Sequence, residues 1–328
     1  MKPGKLPNSK LEKLILNDLV TRREETVLRP AIGEDCCALN LGDNLCVIST
    51  DPITAADENA GVLAVLVSLN DLAASGAEPV GILTTVLLPT DIEESKVREL
   101  FKTINSTCNE MHIDILGGHT EITESVNKVI IITTAIGKVS PSGLVRSDGA
   151  EPGDVILMTK AAGLEGTAII AADKTDEIYS FLDASDVDTA KSYINEISVL
   201  EEGMIAAANG ASSMHDVTEG GILGAVWEVC NASGAGAEIS IDKIVVRDIT
   251  AKICGHYGID PLKLISSGSM LITCKEMDKD KIINEICSKN IDCFEIGNIT
   301  DSNKVLSIKN NKKAEFLQPG ADELYKVI

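Results

Sequence analysis

Aromatic side chains are scarce in this 328-residue chain: Phe, Tyr and Trp together make up 3%. Hydrophobic residues still reach 44%, so aliphatic side chains and alanine must build the core of a packed globule. Basic residues are also short, 29 Lys and Arg against 50 Asp and Glu, for a formal net charge of −21. That balance excludes a duplex-binding surface, which needs a basic patch, and repels anionic membranes. No apolar run approaches the roughly 20 residues of a membrane helix. The opening stretch MKPGKLPNSKLEK has no apolar signal-peptide region. The expectation is a cytoplasmic protein that binds neither nucleic acid nor membrane. The nine cysteines include no CxxC pair and no Cys/His spacing suited to zinc, so they read as free, mostly buried thiols. A GxxxxGKS/T phosphate loop, a GxGxxG after the first strand, GxSxG and HExxH are all missing, which removes several common nucleotide-binding and hydrolytic classes.

What is there is a mixed α/β pattern in two halves. A first helix is predicted over 9–20, with Ser9 and Glu12 as a capping box and Leu11, Leu14, Ile15 and Leu19 on one face. Strands are predicted over 36–41 and 45–50, joined by a hairpin turn at Gly42-Asp43-Asn44. Residues 61–75 read as an apolar helix ending at Gly76, and 82–88 as a strand. Asp91 is placed to cap a helix whose stripe is Val97, Leu100, Phe101, Ile104, Cys108 and Met111. Strands follow over 113–117 and 128–139. The polar stretch RSDGAEPGD, 146–154, marks a boundary between domains 1–147 and 148–328. The second half opens with the strand VILMT and continues with helices over 164–172, 188–209 and 219–232. Alternation runs to Thr300, and a β-rich tail follows.

Acidic and glycine-rich turns carry the chemistry. GEDCCAL puts Glu34 and Asp35 just before a strand, and ISTDPIT puts Asp51 at the end of one. LNDLAASGAEP puts Asn70 and Asp71 in an apolar helix, and LGGHTEIT puts His119, Thr120 and Glu121 after Gly117 and Gly118 at a strand end. Asp71 lies between Leu69 and Leu72, where a buried carboxylate without a partner is very costly, so it needs a cation or several donors. Carboxylates brought to one crevice by separate strands and a helix suit Mg²⁺, which takes oxygen ligands from one or two carboxylates, phosphates and water. In the second half MHDVTEGGILGA places His215, Asp216, Glu219 and Gly220-Gly221 at a helix start, where backbone N–H groups can hold an anion. A capping box from Thr218 explains that stretch equally well. KAAGLEGTA, from Lys160, is a second glycine turn into a helix. Taken singly, each motif has an ordinary explanation as a cap or turn.

The ordered set GEDCCAL, STDPIT, NDLAASGAEP, GGHTE, GAEPGDVILMT, HDVTEGGILGA and GIDPLKLISSGSML resembles the successive signatures of the AIR synthase (PurM)-like ATP-binding superfamily. The resemblance runs from about Gly33 to Thr300 and is strongest to its hydrogenase-maturation branch, HypE. It implies a two-domain α/β fold and a homodimer whose N-terminal domains pair into a β-barrel, with ATP and Mg²⁺ bound in the clefts. It implies ATP-dependent phosphorylation or dehydration of an oxygen-bearing small group, such as a carbamoyl group, in metallocentre or protein maturation.

Position by position, the resemblance implies Asp35, Asp51 and Asp71 as metal and phosphate positions. Asn70, Gly117, Gly118, Thr120, Asp216 and Gly220 join them around the nucleotide. His119, Glu121 and His215 are the candidate catalytic residues. Three departures stand out. Gly118-His119-Thr120-Glu121 replaces a GDTK-like motif, and Ser266-Ser267-Gly268 replaces an NEG-like one. The sequence closes on ELYKVI, with Cys293 its last cysteine, where HypE carries a reactive C-terminal cysteine. Two other readings therefore accompany the first: a small-molecule kinase like thiamine-monophosphate kinase, and a non-catalytic ATP-binding scaffold.

Overall fold

The computed structural model describes residues 7–19, 21–54, 59–316, 318 and 320–328. The first half contains α1 (Asn8–Leu14), β1 (Thr26–Leu28), β2 (Cys36–Asn40), β3 (Leu45–Ile53), α2 (Ala60–Ala74), β4 (Glu78–Leu88), α3 (Glu94–Glu110), β5 (Asp114–Ile122) and β6 (Ile130–Val139). Its six strands form one sheet in the order β1-β2-β3-β6-β4-β5. Neighbours are antiparallel except β4 and β5, which run parallel and are joined by the crossover helix α3. β3 and β6 alternate buried and half-buried side chains, as strands covered on one face do. α2 and α3 lie on the buried face.

The second half contains β7 (Val155–Thr159), α4 (Leu164–Asp173), α5 (Thr175–Ile178), α6 (Ala184–Ser192), α7 (Leu200–Ala208), β8 (Ala211–Asp216), α8 (Gly221–Ser233), β9 (Gly236–Ser240), α9 (Asp248–Tyr257), β10 (Met270–Cys274), α10 (Glu276–Cys287), β11 (Cys293–Thr300), β12 (Val305–Lys309) and β13 (Lys312–Glu315). Its sheet runs β13-β12-β9-β11-β7-β10-β8. β7 and β10 are buried at every residue, which is why VILMT and MLITC carry no polar alternation.

α2 joins the halves. It touches β3, β4 and β6 on one side and α7 and β8 on the other. A helix packed on all sides must be apolar all round, and AGVLAVLVSLNDLAA is. Among the described residues, no helix is long and apolar enough to cross a membrane.

Several local expectations are corrected. α1 stops at Leu14, its N-cap is Pro7 with no side-chain bond, and Ser9 lies inside the helix, so no capping box forms. Its apolar face is left open, with Leu14, Ile15 and Leu19 each about half exposed; Val20, the predicted end, lies outside the described residues. Asp91 does not cap α3, whose N-cap is Glu93. The predicted helix over 188–209 is two helices with a break at 197–199. There the Asn70 amide takes the Ile197 carbonyl at 2.8 Å and the Val199 N–H at 2.9 Å, backbone groups that a continuous helix would have used itself. Thr218 makes no capping box either, because the N-cap of α8 is Gly220, in the left-handed region.

Candidate functional site at the seam between the sheets

Four carboxylates from four elements meet where α2 crosses between the sheets. Asp51 lies inside β3, on the face turned to α2, not at the strand's end. Asp71 is on α2, 4% exposed, and accepts a short hydrogen bond from the Ser49 hydroxyl. Asp35 comes from the loop before β2, and Asp216 ends β8. Burial first, then the charges of Asp51, Asp216 and Asp35, pushes the Asp71 carboxyl well above the usual carboxylate range. Carboxylates crowded this closely favour a cation among them. Oxygen donors of this kind suit a hard divalent ion better than a soft one. Asp35, with its side chain 39% exposed, opens the cluster to solvent.

His215 balances part of this charge. Its Nδ1 is 2.6 Å from the Asp216 carbonyl oxygen, and its Nε2 is 3.2 Å from Glu228 and 3.7 Å from Asp35. Burial works against protonation here, but Glu228, Asp35 and Asp216 outweigh it and raise the imidazole to about 10. Among the described residues, Asp35, His215 and Asp216 each bring one possible ligand atom within 4.8 Å of the others. Both ring nitrogens lie near oxygen atoms, a setting that favours the charged imidazole while no metal ion is bound. Glu34, beside Asp35, is raised to about 7 by burial, against the pull of the Ser147 N–H.

The remaining predicted residues fall elsewhere. Gly117, Gly118, His119, Thr120 and Glu121 do not follow a strand; they lie within β5, at the edge of the first sheet. Gly118 is there for approach, not for a turn: it has φ 155, and a Cβ on it would come within 2.0 Å of the Thr84 carbonyl. The register Asp51–Thr133–Thr84–Gly118 puts three strand spacings, roughly 14 Å, between Asp51 and Gly118. His119 and Glu121 alternate to the other face, where they are 3.5 Å apart and exposed. The structure thus does not bring these two into the acid cluster. Asn70 is also occupied, both ends of its amide being bound across the seam. The Gly220 N–H does hold an anion, but it is this chain's own Asp322, at 2.7 Å.

Sequence reasoning passed over Ser49, Glu228 and Asp322. Glu228 carried a usable signal: it sits in AVWEVC, inside an apolar helix, the same anomaly that singled out Asp71.

Comparisons with known proteins agree with this architecture. Residues 33–139 match the N-terminal domain of AIR synthase related protein, and residues 151–309 match its C-terminal domain. The chain is similar to a Methanocaldococcus jannaschii protein assigned to hydrogenase expression and formation, 29% identical over 282 residues that cover 83% of this chain and 82% of that one. It is similar to the carbamoyl dehydratase HypE of Rhizobium leguminosarum, 27% identical over 267 residues, covering 77% and 73% of the two chains. Its fold matches HypE in a HypE–HypF complex, with a TM-score of 0.78 at 21% identity, over 95% of this chain and all of that one. It also matches HypE in complex with ATP, with a TM-score of 0.71 at 18% identity, over 99% and 97%. With both halves matched in order, the chain belongs to the AIR synthase-related, PurM-like family.

Proposed function

We propose that this chain binds ATP with Mg²⁺ at the acid cluster and uses it to activate an oxygen atom on a small group, as a HypE-like maturation protein. The observation that carries the reading is the convergence of Asp35, Asp51 and Asp216 on the buried carboxylate of Asp71. Similarity to carbamoyl dehydratases and to a HypE bound to ATP supports the nucleotide and a carbamoyl-type substrate.

A magnesium ion held there would neutralise the carboxylates and screen the phosphates. This chain's own residues supply the rest. Ser49 fixes the rotamer of Asp71, His215 holds Asp35 and Asp216 together, and Asn70 keeps the two walls of the cleft in register. Phosphorylation of a carbamoyl oxygen turns a poor leaving group into a good one, so dehydration of the carbamoyl group can follow. The position of His119 and Glu121 on an outer sheet face favours one competing reading, an ATP-binding scaffold with no turnover.

The same reading includes a cytoplasmic homodimer with a domain boundary near 147. β5 is an edge strand that leaves Ile115, Leu116 and Ile122 exposed, with Leu83 beside them on β4, an apolar edge that a second copy would cover. Gly117, Gly118 and Thr120 would then stand at the interface, close to a neighbouring copy's cleft.

The test is ADP release with Mg²⁺ and ATP, with and without carbamoyl compounds and small hydroxyl acceptors, on protein of known mass by light scattering. Carbamoyl-dependent ADP release is expected. Release only with a hydroxyl acceptor would make the protein a kinase, and binding without release a scaffold.

A further inference from the structure

Residues 322–326 tie down the loop that follows Asp216. Asp322 is 3% exposed, and its two oxygens face different ways: Oδ2 accepts the Gly220 N–H at 2.7 Å, and Oδ1 accepts the Leu324 N–H at 2.8 Å. The Tyr325 hydroxyl donates to Glu219 at 3.0 Å. Leu324, 4% exposed, belongs to the apolar cluster that includes Leu264, Ile253 and Ile170. The segment is therefore held at the loop and in the core together.

The loop itself, 217–220, is the sole covalent link between Asp216 at the end of β8 and α8, which bears Glu228. Its exit uses two left-handed glycines, Gly220 at φ 87 and Gly221 at φ 61. Glycine pairs of this kind have many alternatives of similar energy, so bonds from outside must select one. Bonds from outside that hold it include the Val217 N–H to the Ser269 carbonyl at 2.9 Å, the Gly220 N–H to Asp322, and the Tyr325 hydroxyl to Glu219. Upstream, Lys312–Glu315 is exposed throughout.

We propose that residues 322–326 are a latch on the Asp216 loop, with Asp322 a positioning residue whose docking fixes one wall of the acid cluster. Linkage is reciprocal: a ligand that needs Asp216 in place also holds the latch shut. The ligand half of this inference rests on the nucleotide reading above.

The experiment compares wild type with Asp322→Ala and Tyr325→Phe, following amide hydrogen exchange and Mg·ATP affinity by calorimetry. Asp322→Ala is expected to weaken Mg·ATP binding by about tenfold or more, the size of an ordinary coupling between sites. It should also speed exchange at Val217, whose own acceptor, Ser269, is untouched. Tyr325→Phe should do the same to a smaller degree and serves alone if Asp322→Ala fails to fold. In wild type, Mg·ATP should slow exchange across 322–326, which a merely structural tether would not show. Unchanged affinity in the folded variants, or nucleotide without effect on exchange at 322–326, overturns the latch. If wild type does not bind Mg·ATP, the nucleotide reading fails instead, and the latch is decided by Val217 exchange, equal rates in variant and wild type overturning it.

Discussion

Ser49 on β3 gives its hydroxyl hydrogen to Asp71 on α2, so a buried carboxylate of the cluster has its orientation set by the neighbouring strand. The geometry is that of a group held in wait for a cation. Mg·ATP should raise the melting temperature, because a ligand bound only by the folded state stabilises it. Asp71→Asn should abolish most of that shift. A full ligand shift in the variant, read by scanning fluorimetry, would remove Asp71 from the site.

Asn70, one residue earlier, has a different task. Asn70→Ala would leave the Ile197 carbonyl and the Val199 N–H buried without partners, at roughly 1–3 kcal/mol each. Denaturant unfolding should show a loss of roughly 2–6 kcal/mol for the two together. A loss below ~0.5 kcal/mol, the size of a neutral surface change, would mean that the bonds are dispensable.

Glu165 predicts a pH dependence. It is 4% exposed, and burial, only partly offset by the Ser267 N–H, raises its carboxyl to about 7 from an ordinary 4.5. The folded state thus keeps a proton that the unfolded state gives up. The associated stability is fully present below pH 4.5 and is lost as pH rises through 7, with a slope approaching about 1.4 kcal/mol per pH unit between them. Glu165→Gln should flatten that part of the curve. Equal slopes in urea titrations of wild type and variant would contradict the assignment.

The cysteines should react unequally. Cys287 is exposed, whereas Cys293 is buried at the start of β11 and pushed up to about 12 by burial. A thiol reagent at pH 8 should therefore modify Cys287 first and leave Cys293 intact until unfolding. Mass spectrometry of peptides after brief labelling decides this. No carbamoyl adduct is expected on Cys293 for the same reason.

What the sequence revealed depended on how local the cause was. α2 and β7 were readable because burial on every side leaves no polar positions, and Asp71 stood out against that background. β5 was cut short because Gly117-Gly118 looks like a turn; only the nearness of the Thr84 carbonyl shows why glycine is there. The break at 197–199 was invisible because its cause, Asn70, is over a hundred residues away. Asp322 was missed for a similar reason. It reaches Gly220 through space, and nothing in QPGADELYKVI announces an anion for a helix start.

α2 has a further consequence for how the protein comes apart. Val65, Leu69 and Leu72 belong to the core under the first sheet, Leu63 and Leu66 to a cluster otherwise built by α4, α6 and α9, and Ala73 to the core shared with α7 and β10. One helix is thus common property of several interiors. The chain divides neatly as a string of letters near residue 147, but not as a melting body. Either half made alone would present water with a bare apolar surface, so heat should undo both sheets in one calorimetric transition, and the acid cluster should vanish at the same temperature as the fold.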